Sequence, residues 1–103
     1  MGKIRVIKIL GNIIGNIVVH KILVKHTNKP ESVNHLSEEI GTYQDNALET
    51  AQEFNWNEKD KAKIEALALE QFKREVKKKY NDVKFPMNEA EKLIKETMDE
   101  LML

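Results

Sequence analysis

Cysteine is absent from the 103-residue chain, which excludes disulfide frameworks, thiol nucleophiles and thiolate zinc sites in one step. The same absence agrees with a cytoplasmic location. Proline occurs twice and glycine four times, so no Pro- or Gly-rich linker divides the chain and residues 1–103 read as a single domain. No internal repeat or low-complexity tract is visible.

Long apolar runs are missing too. The tract after Lys3, Arg5 and Lys8 is interrupted by Gly11, Asn12, Gly15, Asn16, His20 and Lys21. It falls short of the roughly 20 apolar residues of a membrane-spanning helix and lacks the small-residue cleavage site of a signal peptide. It reads as structure, with no membrane partner. Gly-rich phosphate loops, Walker sequences and nucleophile elbows are also absent. Gly11 and Gly15 lie four apart with no third glycine, so a turn is the simpler reading than a phosphate cradle.

What is present is charge in blocks. The 17 Lys and Arg balance the 17 Asp and Glu, yet residues 1–30 contain bases and no acid, while 31–56 contain acids and no base. Segment 57–80 is again rich in bases and 81–103 in acids. Such alternation implies that oppositely charged elements are neighbours in the fold or across a subunit contact.

The first 28 residues are crowded with Ile and Val, which suit a pleated surface. A turn at Gly15-Asn16 sets Ile7 against Val24, Ile9 against Ile22 and Ile13 against Val18, giving one apolar face. The expectation is an antiparallel β-hairpin over 4–27, with strands near 4–14 and 17–27 and His26 at a strand end. The other face would carry Val6, Leu10, Ile14, Ile17, Val19 and Leu23 beside Lys8, Lys21 and Lys25. That is too apolar for plain exposure, which points to a second copy of the chain.

After Pro30 the period becomes helical. Val33, Leu36, Ile40, Tyr43, Ala47, Leu48, Ala51 and Phe54 form one stripe over 31–54. Asn57 is placed to cap a helix over 58–80, whose stripe reads Ala62, Ala66, Leu69, Phe72, Val76 and Tyr80, with Ile64 and Leu67 off it. Val83, Phe85 and Pro86 read as a connector. Asn88 and Glu91 read as a capping box for a helix over 89–102 carrying Ala90, Leu93, Ile94, Thr97 and Leu101. The fold class expected is α+β, in the order β-β-α-α-α.

Functional signals are weak. Glu31, His35, Glu38 and Glu39 share one helical side and are metal-ligand types, but acids are ordinary on a solvated helix face. His20 reads as a hydrogen-bonded core histidine more readily than as a catalyst. Trp56 reads as a cap on the core. No cofactor and no enzymatic activity are expected. The sequence is read as a binding or assembly module, a homodimer joined through Val6, Leu10, Ile14, Ile17, Val19 and Leu23. The alternative is nucleic-acid binding by Arg5, Lys8, Lys21 and Lys25, against which stand the absence of aromatics in 1–30 and a pI near 6.8.

Overall fold

The structure is a computed structural model that describes residues 2–26, 30–79, 87–101 and 103. Four helices follow one another: α1 (Lys3–His26), α2 (Pro30–Ala51), α3 (Glu58–Lys79) and α4 (Met87–Glu100). No strand occurs among the described residues. The expected hairpin, and with it the α+β class, is overturned: residues 4–27 fall largely within one helix of 24 residues.

The physical reason is burial. Ile and Val each lose a few tenths of a kcal/mol against better helix formers, but burying such a side chain gains about 1.5–3 kcal/mol. In α1, Val6, Ile7, Leu10, Ile14, Ile17, Val18, Val19 and Ile22 are all buried. A helix that is apolar on most of its circumference belongs at the centre of a fold, and α1 packs against each of the other three helices. At 1.5 Å per residue it runs about 36 Å, close to the 40 Å long axis of the molecule.

Directions follow from contacts along α1. Lys3 pairs with Asp60, Gly11 approaches Leu67, and Gly15 approaches Gln71, so α3 runs parallel to α1. Lys25 pairs with Glu89 and Lys21 with Glu100, so α4 runs antiparallel and also packs on α3. His20 meets Glu39 while Lys3 lies over the Trp56 ring just beyond the end of α2, so α2 is antiparallel too. The backbone of α2 approaches that of α1 alone among the described residues.

Gly11 and Gly15 are the reason α1 and α3 lie so close. A Cβ on Gly11 would sit 2.6 Å from Leu67 Cβ, and one on Gly15 would sit 2.8 Å from the Ala68 carbonyl oxygen. Four residues apart, the two glycines share one helix face, so they mark a helix seam where a turn had been expected.

The basic first segment therefore lies against acidic α4, the intramolecular form of the charge alternation. One end of the molecule is pinned by the 51–60 connector. Trp56 Nε1 donates to the Ala51 carbonyl at 2.8 Å, and Asn57 caps α3 by accepting from the Asp60 amide at 2.8 Å. Asp60 returns the contact by accepting from the Asn57 amide at 3.3 Å, a reciprocal cap.

Two details of the later helices differ from expectation. The buried row of α3 runs Ile64, Ala68 and Phe72, leaving Ala62 and Ala66 exposed, because the seam selects the face holding small Ala68. Helix α4 begins at Met87, which puts Asn88 inside the helix and not at its cap. Tyr80, Val83, Phe85, Pro86 and Met102 lie outside the described residues.

Candidate functional site

Among the described residues, the three helices around α1 leave one side of it uncovered. Arg5, Lys8, Ile9 and Asn12 are exposed there and Asn16 is half-buried. Their spacing of mostly three and four keeps them in one strip, which continues to half-buried Leu23. Ile4 and Ile9 are 68% and 37% exposed, the large apolar exceptions on a helix otherwise turned inward.

The strip lies between α2 and α3. On the α3 side, Gln71 Nε2 donates to Asn16 Oδ1 at 3.2 Å. Counting from Gln71 in helical steps, Lys63, Leu67, Arg74 and Lys78 share its side of α3. On the α2 side, His20 faces Glu39 Oε2 at 2.5 Å. The same counting from Glu39 places His35, Thr42, Asn46 and Glu49 on that border.

Of the six residues expected at a dimer contact, Leu23 alone adjoins the strip. Val6, Leu10, Ile14, Ile17 and Val19 are buried within this one chain, and Leu23 packs partly against the same core. Helical geometry turns the first five inward, so they offer little sticky surface. The four basic candidates divide. Lys21 Nζ donates to Thr97 Oγ1 at 2.8 Å and to Glu100 Oε1 at 2.9 Å, and Lys25 pairs with Glu89 at 2.7 Å. Arg5 and Lys8 alone of the four stand on the open strip. Ile4 and Ile9 were missed by sequence reasoning, although Arg5, Lys8, Asn12 and Asn16 already showed a helical polar stripe.

His20 is held from both nitrogens, with side-chain exposure of 13%. Its Nδ1 lies 2.7 Å from the Asn16 carbonyl oxygen and Tyr43 meets the ring edge-on at 5.4 Å. Both ring nitrogens thus face oxygen atoms within hydrogen-bond reach. His35 sits 3.0 Å from the other oxygen of Glu39, so one carboxylate joins two histidines beside a shallow groove of about 320 Å³ lined by His35, Glu38, Glu39, Thr42 and Tyr43. Glu39, and not the Glu31–His35–Glu38 group, is therefore the hub, and no three His, Asp or Glu among the described residues stand in metal-holding geometry.

The carboxyl of Asp60 is clearly shifted. The hydrogen bond from Lys3 lowers its pKa, burial opposes this, and the Asn57 amide and the charges of Lys3 and Lys63 lower it further.

By length and composition α1 is apolar enough to cross a membrane, but more than half of that stretch is buried inside the fold, as a core helix requires. Comparison with known protein families, curated proteins and solved structures gives no match for this chain.

Proposed function

We propose that this chain is a non-enzymatic assembly module of the cytoplasm that self-associates through the open strip of α1. One observation carries the reading: Ile9 stands 37% exposed among Arg5, Lys8 and Asn12 on the side of α1 that the described helices leave uncovered. Apolar side chains rimmed by polar ones are the composition of a contact surface. Sedimentation equilibrium from micromolar to millimolar concentration tests it. A concentration-dependent dimer that Ile9→Glu dissociates is expected, and a wild-type monomer throughout contradicts it.

A second reading has its own support. Arg5 and Lys8 lie near the level of Lys63 of α3, and Arg74 and Lys78 follow farther along the same border, a run of bases suited to a phosphate backbone. Nucleic-acid binding there predicts affinity that falls steeply with salt and is lost in Arg5→Glu/Lys8→Glu. Lys21→Gln and Lys25→Gln would leave it nearly unchanged, since those lysines are paired within the fold.

A further inference from the structure

We infer that the partner seated on the α1 strip is a second copy of this chain, related by a two-fold axis parallel to α1, with acidic α2 of each copy lying on basic α3 of the other. This rests on the self-association proposed above and adds its geometry.

The argument is charge and register. The α2 border of the strip carries Glu39 and Glu49 with no lysine or arginine, and Glu53 follows just past the helix end. The α3 border carries the bases Lys63, Arg74 and Lys78 against one acid, Glu70, which lies seven residues from Lys63 on the same side. A two-fold axis along α1 exchanges the two borders, so each acidic row meets a basic one twice, as an isologous contact demands. An axis across α1 would instead set α2 against α2 and α3 against α3, acid on acid and base on base.

The heights agree as well. Because α3 runs parallel to α1 with Gly11 beside Leu67, Lys63 stands near the level of Ile7, and Arg74 and Lys78 stand near Val18 and Ile22. Because α2 runs antiparallel with Glu39 beside His20, Glu39 stands between the levels of Arg74 and Lys78. Glu49 and Glu53 bracket the level of Lys63. Near the axis Ile9, Asn12 and Asn16 meet their own counterparts, which suits an apolar side chain and two amides that both donate and accept, while Arg5 and Lys8 also face their own copies, a like-charge contact that the flanking α2–α3 pairs must outweigh.

Charge reversal tests this on exposed positions. Glu49→Lys/Glu53→Lys and Lys63→Glu should each weaken dimerisation about tenfold, and the three changes together should restore it. Thermal melts matching wild type show that the variants fold. The chain has no cysteine, so Arg5→Cys and Asn12→Cys, each alone, should both form disulfide-linked dimers in the parallel arrangement. A dimer unaffected by every reversal, or cross-linked from one position only, overturns the pairing while leaving self-association intact. A monomeric wild type overturns both.

Discussion

Gly15 lies so near Gln71 that a Cβ on the glycine would stand 2.7 Å from the Gln71 Cβ. Neither that atom nor the Ala68 backbone is the free end of a flexible chain, so the seam cannot yield cheaply. Gly→Ala ordinarily gains about 0.5–1 kcal/mol within a helix, whereas overpacking a tight contact costs about 1–3 kcal/mol. Gly11→Ala and Gly15→Ala should therefore lower stability. Gly41→Ala should raise it by up to about 1 kcal/mol, because nothing lies within 4 Å of a Cβ there. Urea midpoints of the three variants give the opposite signs directly.

Acid should weaken the pinned end of the molecule. The Asp60 pKa is held below its ordinary value of 3.8, first by the hydrogen bond from Lys3. A carboxyl with a depressed folded pKa contributes stability that is present above about pH 4 and is lost as pH falls through the folded value. Asp60→Asn should be less stable than wild type at pH 7, and the difference should shrink at pH 3. Chemical denaturation at the two values reads this; an equal difference at both would mean that the Lys3 contact contributes nothing.

Thr97 is fully buried and does two jobs. Its hydroxyl donates to the Leu93 carbonyl at 2.7 Å and accepts from Lys21. Thr97→Val keeps the shape and removes the acceptor from an ammonium whose side chain is only 18% exposed. A loss of about 1–2 kcal/mol is expected in a thermal or denaturant melt, while Lys25→Gln, at a 64% exposed side chain, should cost under about 1 kcal/mol.

Helix α2 approaches the backbone of α1 alone among the described helices. Its buried apolar residues are Ala47 and Ala51, both small, and His20–Glu39 is the polar clasp toward its other half. His20→Leu leaves the Glu39 and Asn16 oxygens without this donor. Hydrogen exchange should then quicken in α2 before α3, by about tenfold for a loss of about 1.4 kcal/mol. Uniform acceleration across all helices would show that α2 does not open by itself.

The sequence made the later helices legible because each has one wet side. The stripe ending at Ala47 and Ala51, the Asn57 cap and the row Ala90, Ile94, Thr97 and Leu101 all follow from helical spacing and reappear in the structure. Helix α1 was illegible for the opposite reason. Surrounded by neighbours, it lacks a strong apolar–polar contrast, and its Ile and Val content imitates a strand. Gly11 and Gly15 compounded the error, since glycine followed by asparagine suits a turn and glycine every fourth residue suits a helix seam. The stripe Arg5, Lys8, Asn12, Asn16 was the signal that separates the two readings. The pairing of Lys21 with α4 and the clasp of His20 by Glu39 depend on which helices become neighbours, and no local spacing encodes that.

Everything rests on α1 being a central helix seamed to α3, and nuclear Overhauser contacts in the labelled protein test this most directly. Cross-peaks from Gly15 Hα to Gln71 and Ala68, with helical i to i+3 contacts through Leu10–Ile22, are the predicted result. Cross-strand peaks pairing Ile9 with Ile22 and Ile7 with Val24 would contradict it.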